Sequence, residues 1–316
     1  MDERTRILFL CTGSFCLTSK AASTILLRKN HFNRVTKMRS RSQFRLFLGS
    51  RLQPLLFAAL CLCLTACASV PITERKSLNI LPDSELATLS LEQYSEVLKK
   101  SKLSTDSQKV QMVRRVGGRI AQATEEFFKE SGMASEIKNY QWEFNLIEDD
   151  KTVNAWCMPG GKVAVYTGIL PVTQDETGLA VVMGHEIAHA IAKHGNERMS
   201  QGLLVQLGGM GLSAALGSNP SATSEIFMAA YGAGAQLGIL LPYSRVHESE
   251  ADRIGLVLMA KAGYDPRQAI PFWERMNAKG GARAPEFLST HPAPESRIEN
   301  LKNYLPEALP YYKKSR

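Results

Sequence analysis

Apolar residues recur at helical spacing over most of this chain, and the period changes to two in only one region. Pro82-Asp83-Ser84 opens an amphipathic segment that reaches Lys100. Between Ser104 and Ser131, the residues Val110, Val113, Val116, Ile120, Ala123 and Phe127 fall on one side, which predicts a helix ending at Gly132. Tyr140, Trp142, Phe144 and Leu146 then alternate with Gln141, Glu143 and Asn145, the pattern of a half-buried strand. Asp149-Asp150-Lys151 marks a turn, Pro159-Gly160-Gly161 breaks the chain, and Lys162 to Thr167 alternates again. Thr173 and Glu176 form a capping-box pattern ahead of VVMGHEIAHAIAKH, predicting a helix that stops at Gly195. Met199 to Leu216 is rich in Gly, Ala and Leu, Asn219-Pro220-Ser221 breaks it, and Ile226 to Leu241 is apolar. Both stretches are shorter than a membrane span and read as a buried helical hairpin, with contact at the bilayer surface as the alternative. Ser244 can cap a further helix that ends at Ala262-Gly263. The sum is a mostly helical α+β domain with a small sheet.

Composition adds little until it is divided along the chain. The 316 residues are 44% hydrophobic and 22% charged, with a formal net charge of +8. Residues 1–66 hold 11 Lys and Arg against 2 Asp and Glu, whereas from Cys67 onward 27 basic residues face 28 acidic ones. The basicity therefore belongs to a leader, and nothing in the remainder calls for nucleic acid. Arg39, Arg41, Arg45 and Arg51 precede an apolar run from Leu52 to Leu64, as in an export signal. The run ends in Leu64-Thr65-Ala66-Cys67, which resembles the lipobox of bacterial lipoproteins. That resemblance implies cleavage before Cys67, lipidation of its thiol and membrane attachment. Ala68, where an Asp would resemble an inner-membrane retention signal, leans the expectation toward the outer membrane. Residues 1–37 do not suit a signal peptide, so translation is expected to start at Met38, with the preceding stretch an extra or spurious extension. Arg6 to Cys16 resembles the opening of low-molecular-weight tyrosine phosphatases, but Leu17 stands where the phosphate-binding Arg belongs, and no function is assigned to it. Five of the six cysteines lie at or before Cys67, so Cys157 has no intrachain disulfide partner in the mature body.

The chemistry lies in His185-Glu186-Ile187-Ala188-His189. Residues i and i+4 of a helix share a face, so both imidazoles can reach one Zn²⁺ ion. Glu186 projects beside them, where a carboxylate can take a proton from metal-bound water. Because such a pattern also arises by chance, context decides. Here the flanks Val181, Val182, Ile187, Ala188 and Ile191 bury the helix, and buried imidazoles and a carboxylate would be costly without a partner. A catalytic zinc site needs a third protein ligand and an open fourth position. Ala192 and Gly195 occupy the positions where a metzincin would have Gly and His, which excludes that class. His194 reads as a cation-capable residue at the helix C-terminus. Glu248, Glu250 and Asp252 lie on the next strong helix.

Four collinear runs carry a resemblance: Asn154 to Leu170 (NAWCMPGGKVAVYTGIL), His185 to Ser200, Leu241 to Leu256 (LPYSRVHESEADRIGL) and Ser289 to Leu301 (STHPAPESRIENL). The set resembles the gluzincin metallopeptidases, the family of HtpX, the CAAX prenyl endopeptidases, the mitochondrial Oma-type protease and the BepA-like periplasmic lipoproteins. The resemblance implies a zincin-like catalytic domain over residues 82–316, one Zn²⁺ per chain, and Glu248 as third ligand. Glu250 points about 200° away on that helix and reads as a solvated or salt-bridged side chain. Asp252, one turn beyond Glu248, can accept the free N–H of His185 or His189. Asn154 to Tyr166 looks like the family's edge strand above the metal, with Asn154, Gly160, Gly161 and Val163 expected to meet an extended substrate through main-chain pairing. His291 and Arg297 match the HPxxxxR segment. In the BepA-like members such a His looks like a switch that occupies the open metal position, while Arg297 either stabilises negative charge or clamps its loop.

The expected organisation is an extension at 1–37, a lipoprotein signal at 38–66, a lipidated Cys67 with a polar tether at 67–81, and the peptidase domain at 82–316. The expected function is a zinc metalloendopeptidase, held by lipidated Cys67 at the outer membrane and facing the periplasm. It would cleave unfolded or misassembled envelope proteins, with Glu186 as general base. The alternative is a mostly latent, chaperone-like assembly factor for outer-membrane proteins. The oligomeric state is not legible.

Overall fold

The computed structural model describes residues 67–206, 244–279, 285–292 and 296–314, all within a compact unit spanning Thr65–Arg316. The expected extension, the signal segment and the apolar stretch Ile226 to Leu241 lie outside the described residues. Strands β1 (Cys67–Ser69) and β2 (Lys76–Leu78) form an antiparallel hairpin. Helices α1 (Asp83–Lys100) and α2 (Ser107–Glu130) follow, then β3 (Glu143–Ile147), β4 (Ala155–Met158) and β5 (Lys162–Tyr166). A short α3 (Leu170–Thr173) leads into α4 (Glu176–Ile191) and α5 (His194–Gln206). After the interruption come α6 (Arg245–Lys261), α7 (Ala269–Ala278), α8 (Glu286–Thr290) and α9 (Arg297–Lys314).

The sheet is mixed, in the order β3-β5-β4, with β5 parallel to β3 and antiparallel to β4. Its central strand is buried throughout, which is why Lys162 to Tyr166 is apolar on both faces apart from Lys162. Lys162 sends its ammonium out to the carbonyl of Gln141 at 2.9 Å. Gly160 and Gly161 turn the chain from β4 into β5 with φ of 81° and 83°. A side chain at Gly161 would also strike the Trp142 ring, so only glycine meets both demands.

Several boundaries differ from the sequence expectation. The strand begins at Glu143, because Tyr140 leaves the sheet to donate its hydroxyl to the Ala190 carbonyl of α4 at 3.1 Å. The N-cap of α4 is Asp175, whose carboxylate accepts from Gly178 N at 2.8 Å. Thr173 instead closes α3, and Gln174 at φ 68° separates the two helices, so no capping box forms. The helix ends at Ile191, not Gly195: Lys193 adopts φ 58° and a new helix starts at His194. The expected tether is folded onto the body from Val70 onward. Val70 and Leu81 are buried, Ile80 N donates to Ser200 Oγ at 2.9 Å, and Asn196 Nδ2 donates to the Leu81 carbonyl at 2.9 Å.

Helices α4 and α6 form the centre of the domain. They cross at Gly184 and Gly255, where a Cβ on Gly184 would lie 3.0 Å from the Gly255 carbonyl oxygen. A Cβ on Gly255 would lie 3.0 Å from the Gly184 carbonyl carbon and from His185 N. These are backbone atoms that cannot swing aside, so two glycines let the helices approach closely beside the HExxH turn. Around them α2, α7 and α9 complete an apolar core that includes Ile120, Phe128, Ile187, Ile254, Phe272 and Trp273, all essentially buried. No helix among the described residues is long and apolar enough to cross a membrane.

Gly255→Ala should part α4 from α6 and destabilise the domain by about 1–3 kcal/mol, the usual scale for overpacking. Denaturant unfolding of the variant against the parent chain measures this, with Gly202→Ala as a control, since a Cβ at Gly202 meets no neighbour among the described residues.

Candidate active site

Helix α4 presents His185 and His189 one turn apart, and α6 brings Glu248 across the glycine crossing to face them. His185 Nε2 and His189 Nε2 are 3.1 Å apart, and each lies 3.4 Å from an oxygen of Glu248. In a tetrahedral zinc site with bonds near 2.0–2.1 Å, ligand atoms stand about 3.3 Å from one another, so the three atoms already have metal-site spacing. Including His291, one ligand atom from each of the four residues lies within 4.8 Å of every other, and all four residues are buried.

Two further observations fit a divalent cation. Neither Glu248 oxygen accepts a hydrogen bond among the described residues, nor does Glu186 Oε1, although all are sealed from solvent. Buried acceptors of that kind need a partner. The cluster also holds three carboxylates, Glu186, Glu248 and Asp252, against the single guanidinium of Arg297, an excess of two negative charges when the imidazoles are neutral. The pKa directions at Glu186 and His185, both raised, work against that excess. Burial pushes Glu186 up to about 8, with His185 opposing and Glu248 adding to the rise. Burial would lower His185, but hydrogen bonds to Asp252 and Glu248 outweigh it and hold the imidazole at about 9. Burial would raise Glu248, yet His291, His185 and Arg297 keep it at about 2.

Neighbouring side chains fix each ring. His185 Nδ1 lies 3.0 Å from Asp252 Oδ1, which sets the tautomer with its lone pair on Nε2, toward the cluster. Arg297, 1% exposed, donates to Asp252 at 2.7 Å, stands 3.4 Å from Glu248 and stacks its guanidinium carbon 3.2 Å from the Trp273 ring centre. It therefore binds α9 to the carboxylates of α6 and does more than clamp a loop. The His291 ring stacks on Phe287, and its Nδ1 faces the Phe287 carbonyl at 3.2 Å, so its Nε2 points into the cluster, 3.5 Å from Glu186 Oε1.

The expected substrate strand needs correction. Val163 belongs to the central strand β5, where its carbonyl accepts from Tyr94 at 3.0 Å, so it offers no free edge. Gly160 and Gly161 lie in the turn, and their carbonyls accept from Gln141 N and Glu143 N. The edge on this side is β4, residues Ala155–Met158. Asn154 borders it and donates to Glu286 at 3.3 Å, while Phe287 N donates to the Val153 carbonyl. The segment carrying His291 is thus seated at the start of the β4 edge. Cys157 is a buried thiol raised by that burial, which suits packing and not nucleophilic work.

Sequence reasoning also misplaced a second tier. His194 is not a cation at a helix end: it is fully buried, with Nδ1 3.0 Å from His189 Nδ1 and Nε2 3.2 Å from Glu250. Burial, outweighing the help of Glu250, lowers it to about 4. Glu250 is salt-bridged as expected but is buried, not solvated, and its partner Arg75 comes from the supposed tether. No sequence pattern marks this turn, because it depends on Lys193 adopting φ 58° between the two histidines.

With this geometry in hand, comparison with known proteins decides the family. The model of peptidase family M48 matches residues 115–305. The chain belongs to peptidase family M48. Among M48 relatives, it is 41% identical over 176 residues to the mitochondrial metalloendopeptidase OMA1 of Schizosaccharomyces pombe, covering 55% of this chain and 50% of that protein. It is 30% identical over 278 residues to the metalloendopeptidase OMA1 of Homo sapiens, covering 85% of this chain and 51% of the relative. It is 31% identical over 168 residues to the beta-barrel assembly-enhancing protease of Escherichia coli, covering 51% of this chain and 34% of that one. The chain thus spans about half the length, or less, of these curated relatives.

Arg297→Ala should destabilise this M48 domain by about 3–5 kcal/mol, because it strands two buried carboxylates. Arg297→Lys should rescue little, since an ammonium can neither fork between Asp252 and Glu248 nor stack flat on Trp273. Urea denaturation of the three proteins separates these outcomes.

Proposed function

We propose that the chain is a zinc-dependent endopeptidase, held by a lipidated Cys67 on the periplasmic face of a bacterial outer membrane, that cleaves misfolded or stalled envelope proteins. The observation that carries the peptidase reading is the triangle of His185, His189 and Glu248 with Glu186 beside it, all buried. In this reading those three residues hold Zn²⁺, which when bound lowers the pKa of its water toward 7 and polarises the scissile carbonyl. Glu186 takes the proton of the attacking water and later delivers it to the leaving amine. Asp252 keeps His185 in the ligating tautomer, and Arg297, donating at 2.7 Å, keeps Asp252 aimed. Substrate lies extended along β4, pairing main chain to main chain, which suits an enzyme with loose side-chain preference.

His291 gives the site a resting form. Its Nε2 points at the position a substrate carbonyl or attacking water needs, and its segment sits at the start of the β4 edge. Opening requires His291 to leave and the segment to lift together. This same seating favours the second reading, an assembly factor whose site is mostly latent. The envelope location rests on the charged leader and the Leu64-Thr65-Ala66-Cys67 run. The Escherichia coli relative, named for assembly of β-barrels, supports the substrate class.

Casein hydrolysis by the Ala68–Arg316 protein tests the peptidase reading. It should be abolished by a chelator and by Glu186→Gln, with zinc still bound in that variant, and raised about tenfold by His291→Ala if the ring closes most molecules. Hydrolysis unaffected by Glu186→Gln would rule the reading out. Metabolic labelling with palmitate tests the anchor: Cys67→Ser should lose the label and release the protein from membranes.

A further inference from the structure

Beneath His189 runs a chain of polar side chains that the hydrolytic chemistry does not itself use. His189 Nδ1 stands 3.0 Å from His194 Nδ1, and His194 Nε2 stands 3.2 Å from Glu250 Oε2. The Glu250 carboxylate also accepts from Arg75 Nε at 2.6 Å and from the Thr73 hydroxyl. Arg75 then forks onto both oxygens of Glu197, at 2.8 and 2.7 Å, and Glu197 meets His247 Nε2 at 3.1 Å. His194 is 0% exposed and Glu250 7%, so this is an interior network, not a surface ion pair. It spans four elements: α4, the start of α5, α6 and the turn of the β1–β2 hairpin.

We propose that His194 and Glu250 are positioning residues for His189, and that Thr73 and Arg75 complete the relay, so the grip on the metal depends on the N-terminal hairpin being docked. The inference rests on the reading of His185, His189 and Glu248 as ligands. Its logic follows from donor and acceptor capacity. If His189 Nε2 faces the ion with a lone pair, its proton sits on Nδ1 and needs an acceptor. His194 Nδ1 accepts only when the His194 proton is on Nε2, and that proton in turn needs an acceptor. An ionised carboxylate only accepts, so Glu250 sets the tautomer of both rings in one direction. Arg75 and Thr73 hold Glu250 ionised and aimed. His185 reaches its carboxylate, Asp252, directly, whereas His189 reaches one only through a second imidazole, and the far end of that longer route lies six to eight residues after Cys67. A lipid-anchored Cys67 would place this hairpin next to the membrane, so displacement of the hairpin there would reach the metal through three side chains.

The full-length protein, extracted in detergent, tests this by competition with a chromophoric zinc chelator, alongside thermal unfolding of the metal-free forms to confirm folding. Glu250→Gln and His194→Phe should raise the zinc dissociation constant about 10- to 100-fold, the usual effect of losing an orienting partner. Arg75→Ala should raise it about tenfold, and Arg75→Lys should restore part of the loss. Glu197→Gln takes the charge and the two-oxygen fork from the other partner of Arg75 while leaving Glu250 intact, and should bind zinc close to the parent chain. Parent-like zinc binding in both Glu250→Gln and His194→Phe would overturn the relay. So would equal losses in Glu197→Gln and Glu250→Gln, since hairpin docking alone would then be responsible. If the parent chain binds no zinc, the ligand assignment itself fails and the relay with it.

Discussion

The close crossing of α4 and α6 at Gly184 and Gly255 is the constraint on which the rest of the site depends. The metal pair lies on α4, directly after Gly184, and its carboxylate partner lies on α6, two turns before Gly255. Ligand atoms 3.1–3.4 Å apart leave no room for a wider helix separation. A Cβ at either glycine would push against backbone, and the displacement would be felt directly by Glu248. Core packing and metal geometry are therefore one requirement, met by two residues with no side chain.

Around that crossing the protein buries an unusual amount of charge and satisfies it in tiers. His185 is held by Asp252, and Asp252 by Arg297, which spreads over Trp273. His189 stands against His194, and that ring against Glu250, which in turn accepts from Arg75. Each tier places an acceptor where a ring proton must go, so that the Nε2 lone pairs converge. Arg297 and Arg75 arrive from opposite ends of the sequence, from α9 and from the β1–β2 hairpin. The peptidase site is in this sense closed by both ends of the described chain, although its ligating residues come from two central helices.

The same enclosure extends to the segment that carries His291. His291 approaches Glu186 and the ligand triangle from a segment whose backbone is tied to Val153 and whose Glu286 is tied to Asn154. Approaching the ligand triangle and covering the start of the β4 edge are both features of one short element. A substrate strand would have to displace both contacts at once.

Local pattern determined much of this. HExxH on an apolar helix, a carboxylate-bearing helix capped by Ser244, a two-residue period for the sheet and the Pro159-Gly160-Gly161 turn are all short-range features, and each is legible because helical and strand periods act over neighbouring residues. The likeness to M48 sequences then supplied Glu248, His291 and Arg297. Tertiary structure alone decided what long-range pairing decides. It placed Val163 in the centre of the sheet, since strand order is set by packing and not by alternation. It broke the helix at Lys193, so that His194 turned inward to His189. It also folded residues 70–81 against α5 and α6, because the polarity of Thr73 and Arg75 is that of a solvated linker until Glu250 and Glu197, more than a hundred residues away, are brought beside them. A charge written in the sequence is the same whether it ends in water or in a buried ion pair, and only the fold tells which.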